Sequence, residues 1–454
     1  MKQQVTAVFD IGKTNKKFFL FDSKFREVYR EYATFSEIKD EDGHPTENLE
    51  ALEKWVKSTF EEMLDTPEYE ITSLNFSCYG ASLVHLDSEG KVLTPLYNYM
   101  KPLPEGTSND FYQKYGPEIA ISRVTGGPKL GMLNAGMQLY WLKKARPEIF
   151  KKIAYSLHLP QYLSYLFTKM PISEYTSIGC HTLLWDYERK AYHKWVHQEG
   201  IDQKLPLVKE SDQTITMDFN GQKIAVGPGI HDSSAALIPY IRSIKKPFVL
   251  ISTGTWSISI NPFNTEMLEE AEIEAECLFN MRTNGDPVKV SRLFLGNEYK
   301  LQTKALTKRY DVSLNHHKTV AFDRELFSKI EANFVPRFKW FGIVSEQMPK
   351  ETTVDDLNFE QAYHQLLWEL VLLQEKSVRS VIGNGSIDRI YVDGGFANNE
   401  VYLSLLAYRL SDKKIRTTDA SLGSALGAAL VISKTDLKPK FLKKKYALKK
   451  HTSF

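Results

Sequence analysis

Cysteine is scarce in this chain: Cys78, Cys180 and Cys277 are the only three in 454 residues. They are odd in number, far apart and without metal-ligand spacing, which excludes a disulfide framework and fits free thiols in a reducing compartment. Long apolar runs are also missing, and none approaches the ~18 residues that cross a bilayer as a helix. Neither sign of charge dominates. The net charge of +2 creates no overall field toward nucleic acid or an anionic membrane. No Gly-x-x-x-x-Gly-Lys-Ser/Thr loop and no Gly-x-Gly-x-x-Gly element after a strand is present, which sets aside a standard P-loop or dinucleotide fold. The first strand-like run starts within five residues of the N-terminus and leaves no room for a signal peptide. The expectation is a cytoplasmic protein with no nucleic-acid and no membrane partner.

What is there is the composition of a folded chain: 42% hydrophobic, 25% charged and 12% aromatic. The length exceeds one core, so two domains of roughly 200 residues are expected. Alternating apolar residues predict strands over 5–9, 17–21 and 27–35. Leu49, Leu52, Trp55, Val56, Phe60 and Met63 recur at helical spacing and predict a helix over 46–64. A strand at 71–78 and a hairpin at 83–93, turned at Asp87-Ser88-Glu89-Gly90, come next. Helices are expected over 132–144 and 147–155, broken at Pro147, and over 160–167.

The second half opens like the first, with a strand, a small-residue turn and a return strand over 247–260. Helices near 296–310 and 359–382 precede a strand at 389–392, a helix reaching 410, a strand at 414–418 and a small-residue helix at 421–432. A hairpin with a polar turn opening each half indicates two copies of one α/β unit. The expected limits are 1–243 and 244–437, followed by a basic tail, 438–454, read as a solvated extension. An exposed apolar strand edge would permit a homodimer.

Chemistry concentrates in the turns. Asp10-Ile11-Gly12-Lys13-Thr14-Asn15 tips the first hairpin, where backbone N–H groups can meet phosphate oxygens and Asp10 can hold a hydrated Mg²⁺. Lys17 is the favoured neutralising cation there, and Lys16 the least favoured. Thr253-Gly254-Thr255 occupies the matching turn of the second half. Asp393-Gly394-Gly395 follows a strand and precedes a helix, so the glycines would let backbone approach a nucleotide closely. Asp232, pinned behind Gly227-Pro228-Gly229, opens a helix as either its N-cap or a base for an alcohol, two compatible roles. His231 could orient a substrate hydroxyl. Together these point to phosphoryl transfer from a nucleotide to a hydroxylated small molecule.

In this order the turns resemble the FGGY carbohydrate kinases. The run from Asp10 to Lys17 is similar to the family's Asp-x-Gly-Thr-x-Ser-x-Arg phosphate motif, differing at Lys13, Asn15 and Lys17. Trp141-Leu142-Lys143, Pro147-Glu148 and 160–166 resemble its helical segment, and 227–237 resembles the segment bearing its catalytic Asp, matched at Asp232. Ser252-Thr253-Gly254-Thr255-Trp256-Ser257 resembles the second phosphate motif; Asp393-Gly394-Gly395 with Asn398, then 420–429, resembles the adenosine motif.

The resemblance implies an α/β, duplicated ribonuclease H-like (actin/hexokinase-type ATPase) fold of two lobes with the site in the cleft between them. It implies ATP and Mg²⁺ as cofactors and a small-molecule sugar as substrate. Asp232 is the implied catalytic base and Asp10 the metal ligand. Gly12, Lys13, Thr14, Asn15, Lys17, Thr253, Gly254, Thr255, Gly394, Gly395 and Asn398 are the implied nucleotide contacts. Tyr79, Gly80, His231 and Asp232 would meet the sugar, with Tyr79-Gly80 in the place of a Trp-Gly pair. His231-Asp232 and Gly254-Thr255-Trp256-Ser257 look most like rhamnulokinases and fuculokinases, which implies an L-rhamnulose or L-fuculose type ketose in carbohydrate catabolism. Ser82 replaces an Asp of those enzymes, and 97–102 lacks their Arg-Asp-x-Arg-Thr. Xylulose, ribulose or glycerol therefore stand as alternative acceptors, with a non-catalytic sugar or nucleotide sensor as the rival class. A filament-forming actin relative would have no use for the Asp232 segment.

Overall fold

The structure is a computed structural model that describes residues 2–343, 348–418, 423–435, 437–438 and 440–452. Two seven-stranded sheets organise it. The first contains β1 (Gln3–Ile11), β2 (Lys16–Asp22), β3 (Glu27–Ala33), β4 (Tyr69–Cys78), β5 (Ile215–Phe219), β6 (Gln222–Val226) and β7 (Ile230–His231). The second contains β8 (Val249–Thr253), β9 (Ser257–Asn261), β10 (Cys277–Met281), β11 (Pro287–Leu293), β12 (Arg389–Gly394), β13 (Lys414–Thr417) and β14 (Lys449–His451).

Both sheets share one plan. A central strand, β1 or β8, has an antiparallel neighbour on one side, β2 or β9. Its other neighbour, β4 or β12, runs parallel. Outward from these, β3 and β11 continue the antiparallel side, while β6, β7 and β13 continue the parallel side. This repetition is the expected duplicated α/β fold.

Side-chain period explains how the central strand holds two layers together. Val5, Ala7, Phe9 and Ile11 of β1 point into one cluster with Leu52, Val56 and Phe60 of helix α1 (Leu49–Asp65). Val8, one step out of phase, joins a second cluster with Phe19, Phe21, Leu250 and Tyr391, which draws on both sheets. Helix α1 starts at Leu49, later than the spacing predicts, because the Asn48 side chain accepts from Ala51 N at 3.1 Å and caps it.

Two helices join the halves. Helix α2 (Asp232–Ser243) and helix α3 (Gly423–Val431) pack on each other, with Pro239 accommodated inside α2. A Cβ on Gly427 would lie 1.8 Å from the Ala235 carbonyl oxygen, so the contact is backbone to backbone. Asn75 of β4 secures the same junction: its amide donates to Ala428 O at 2.8 Å, and its carbonyl accepts from Gly229 N at 3.0 Å. Ala420 and Ser421, at which the adenosine-like motif and the small-residue helix were expected to begin, lie outside the described residues.

Three local expectations need correction. The turn Asp87–Gly90 forms, with Gly90 N donating to Asp87 O at 3.1 Å. Its return arm pairs back through Asp87 N to Lys91 O at 3.0 Å, Leu93 N to His85 O at 2.9 Å and the bridge Leu86 to Val92, but it forms no extended strand. Pro95 soon removes a donor from that arm, and Leu83–Leu86 pairs along its length with Tyr155–His158. The helix expected over 147–155 accordingly stops at Lys152, because its last residues are taken by that strand.

The basic tail is also not a solvated extension. Its described residues form a short helix, Phe441–Lys445, and strand β14, which pairs antiparallel with β13. Leu442 and Tyr446 are each 2% exposed, so apolar burial outweighs the solvation of the intervening lysines.

Candidate functional site

The first turn is tight because Gly12 N donates to Asn15 O at 2.9 Å. Thr14 and Asn15 stand exposed at its tip. Asp10 sits one residue from the end of β1, opposite Lys17 on β2 and Ser77 on β4. It is 8% exposed. Burial pushes its carboxyl above the usual range; the Ser424 hydroxyl and the Lys17 charge oppose that, and the charge of Asp232 adds to it. The two remote acids are thus near enough to feel each other.

The lysines of this turn divide. Lys17 serves Asp10. Lys16 is buried and bonded to Glu47, at 2.8 and 3.0 Å to its two oxygens, so it is a core ion pair. Lys13 leans away from the tip, 5.8 Å above the rings of Tyr79 and Tyr99 and 3.5 Å from Glu37. It faces the expected acceptor side rather than the phosphate side. The Tyr79 hydroxyl donates to Glu47 at 3.4 Å.

Asp232 stands where β7 ends beside β4 and α2 begins. Gly229 must be glycine: its φ is +81°, and a Cβ there would lie 2.5 Å from Pro160 O. The N-cap position belongs to His231, so Asp232 is the first helical residue and not the cap. Its carboxylate accepts from Ser233 N at 2.5 Å and Ser233 Oγ at 3.1 Å. The side chain is 32% exposed toward the cleft, while the surrounding walls raise its pKa to about 6. His231 Nε2 lies 3.3 Å from that carboxylate, and burial lowers the ring's pKa to about 4, so the neighbour is a neutral imidazole. Gly80 lets the backbone close on this pair, since a Cβ would sit 2.5 Å from Cys180 Sγ and 3.3 Å from His231.

In the second sheet the Thr253 hydroxyl donates to Asp393 O and accepts from Phe396 N at 3.0 Å. It locks the turn after β12 instead of pointing into open space. Gly394, at φ +80°, has no room for a Cβ, which would lie 1.9 Å from Thr253 O. Gly254 and Thr255 remain exposed, with Gly254 N bonded to Trp256 O at 2.8 Å. Thr253→Val would strand a buried carbonyl and a buried N–H, so we expect a loss of about 1–3 kcal/mol in chemical denaturation. An unchanged midpoint would contradict this reading of the turn.

One cavity of about 780 Å³ brings the halves together. His231, Asp232 and Ser233 line it from one side, and Asp393, Gly394, Gly395 and Asn398 from the other. Asp10, Gly12, Lys13, Thr14, Asn15, Lys17, Tyr79, Gly80 and the turn Thr253-Gly254-Thr255 do not line this cavity; Asp10 is tied to it by the Ser424 hydroxyl and by the charge of Asp232, which do. Among the described residues no cluster of three or more His, Cys, Asp or Glu could hold a metal ion by itself. No helix there is long and apolar enough to cross a membrane.

Residues 5–235 match the N-terminal domain of the FGGY family of carbohydrate kinases, and residues 245–440 match carbohydrate kinase FGGY, C-terminal domain. The chain belongs to the FGGY family of carbohydrate kinases. A rhamnulokinase of Halalkalibacterium halodurans is 25% identical over 261 residues, 55% of this chain and 52% of that protein. The chain thus spans about half the length of the curated relatives it matches. A carbohydrate kinase from Novosphingobium aromaticivorans superposes with a TM-score of 0.80 at 22% identity, over 98% of this chain and 96% of that one. A xylulose kinase from Rhodospirillum rubrum gives 0.80 at 15% identity, over 99% and 94%. At such identities these two establish the shared fold.

Within this FGGY chain the sequence reading missed several cleft residues. Asp393 was seen only as part of a glycine turn, yet its carboxyl is 7% exposed, approached by the Tyr240 hydroxyl at 3.4 Å, and raised by burial to about 6. The visible signal was an acid immediately before two glycines at a strand end. His181, Ser252, Arg292 and Thr418 also line the cavity. Ser252 opens the second phosphate-like motif, whereas His181, Arg292 and Thr418 belong to no motif and only the topology collects them.

Proposed function

We propose that this FGGY chain is an ATP-dependent sugar kinase that phosphorylates a hydroxyl of a ketose of the L-rhamnulose or L-fuculose type. The observation that carries the proposal is the electrostatic proximity of Asp10 and Asp232 at a cleft whose far wall is Asp393-Gly394-Gly395. The rhamnulokinase likeness over half the chain supports the sugar class.

In this reading the acceptor hydroxyl lies against Asp232, which takes its proton as the oxygen attacks the γ-phosphorus. The new O–P bond forms as the bond from that phosphorus to ADP breaks. Base assistance of this kind typically contributes ~10²–10⁴-fold. Neutral His231 holds the carboxylate in place and offers its ring to a sugar hydroxyl. A buried carboxylate destabilised by a second acid suits Asp10 to a hydrated Mg²⁺, which supplies charge neutralisation at the phosphates when bound. Lys17 and the N–H groups of the first turn stabilise the phosphoryl oxygens. Gly394, Gly395 and Asn398 shape the nucleotide wall.

An ADP-release assay over L-rhamnulose, L-fuculose, xylulose, ribulose and glycerol tests the proposal. We expect turnover on one of the first two to exceed the others by at least about tenfold. Equal turnover on all five would overturn the ketose assignment, and none on any sugar would overturn the kinase reading.

A further inference from the structure

In the reading above Lys17 meets the phosphoryl oxygens from the first turn, beside Asp10. A second cation at the Asp232 end of the cleft is not supplied by the other nearby lysines, most of which are engaged. Lys16 is bound to Glu47. Lys101 reaches Asp40 at 2.7 Å and Asp42 at 2.5 Å. Lys13 lies over two tyrosine rings. Lys449 does line the cavity, but from β14, where it pairs with Thr417 beside the nucleotide wall. Arg292, from β11, lines the same cavity as Asp232.

Two contacts and one unpartnered nitrogen define the arginine. Its guanidinium lies 5.3 Å from the ring centre of Trp256, inside the second phosphate-like turn. One terminal nitrogen, Nη2, is 2.6 Å from Glu276, whose side chain is 57% exposed. Nε is buried and has no partner. The charge is felt across the cleft by Cys180 and His181. Cys180 Sγ lies 3.3 Å from His231 Nε2, and that nitrogen is 3.3 Å from Asp232. The guanidinium therefore stands between the phosphate-like turn of one sheet and the proposed base of the other.

We propose that Arg292 is a catalytic residue that stabilises the phosphoryl group while it passes between nucleotide and acceptor. This rests on the kinase reading above. A guanidinium suits the task because it stays protonated and presents several planar N–H donors to equatorial oxygens. No proton moves to or from it: the acceptor's proton still goes to Asp232, and ADP leaves as the acceptor oxygen bonds phosphorus. Trp256 fixes the plane of the guanidinium, and the exposed Glu276 holds one edge through Nη2, which leaves the other terminal nitrogen, Nη1, as the donor to the phosphoryl group.

The test uses Arg292→Gln, Arg292→Lys and Glu276→Gln in the full chain. We expect Arg292→Gln to lower kcat about 10²- to 10³-fold, with KM for MgATP and acceptor within about threefold of wild type. Arg292→Lys should recover part of the loss. By calorimetry, MgADP should bind Arg292→Gln as it binds wild type, while MgADP with aluminium fluoride should lose at least about tenfold in affinity. Glu276→Gln, which keeps the cation and loosens only one exposed edge, should lose no more than about fivefold in kcat.

A rise confined to the acceptor's KM would overturn the proposal and make Arg292 an acceptor contact. Equal losses in Glu276→Gln and Arg292→Gln would reduce it to a structural pair. Loss on Asp232→Asn with none on Arg292→Gln would sink this inference alone. A wild-type chain that phosphorylates no sugar would sink both.

Discussion

Asp232→Asn is expected to lose about 10²- to 10⁴-fold in turnover while binding MgATP as wild type does. The substitution keeps shape and most hydrogen bonding but removes the only function proposed for the group, accepting a proton. The pH profile carries the same information. With a pKa near 6, Asp232 is ionised at neutral pH. Below pH 6 its protonated fraction grows, so wild-type activity should fall by about tenfold per pH unit well under that value. His231, lowered to about 4, stays neutral across this range and contributes no second limb there.

Stability moves the other way. A carboxyl raised above 3.8 binds more protons folded than unfolded between pH 3.8 and about 6, so its contribution to folding worsens as pH rises through that window. The asparagine variant lacks that cost and should melt at or above wild type at pH 8. Near wild-type turnover, or a melting point well below wild type, would remove Asp232 from the role of base.

Gly427→Ala is expected to damage both stability and rate. In an exposed helix interior this change would stabilise by about 1 kcal/mol, because alanine restricts the unfolded chain. Here the new methyl would meet Ala235 O at 1.8 Å, so the two helices must part by on the order of 1.5 Å to restore ordinary contact. Overpacking of this kind costs roughly 1–3 kcal/mol. The displaced helix is the one that begins with Asp232, and misplacement near 1 Å can cost about 10²-fold in rate. Thermal unfolding and kcat together decide the matter. A stabilised, fully active variant would mean that the helix pair is looser than the structure shows.

The parts of the fold that were legible in the sequence are those with local periodicity. The long helix Phe359–Ile382 announces itself through its length and strongly apolar content, and β1, β2 and β4 through apolar runs bounded by turns. Illegible were pairings made with distant partners. Leu83–Leu86 finds Tyr155–His158, and Lys449–His451 finds β13, and neither choice is encoded near the strand itself. Lysine density in 438–450 suggested solvent, while Leu442 and Tyr446 decided the outcome.

The site divides on the same line. Asp10, Asp232 and Gly394 stood out because a turn or helix start constrains the residues around them. Arg292 and His181 had no such frame, since one lies inside a β-strand, a residue before its end, and the other sits in a left-handed turn at φ +42°. Thr253 was recognised as part of a turn, but its hydroxyl is spent on Asp393 and Phe396, a bond invisible without the neighbouring strand.

The end of the chain is clasped onto its beginning. Lys445 donates to the carbonyl of Phe25 at 2.6 Å, Phe441 meets the Phe25 ring edge-on, and Tyr446 lies against Tyr240 of the helix that starts at Asp232. A protein fastened in this way should come apart as one cooperative event, because neither sheet can melt without first letting go of the other's strap.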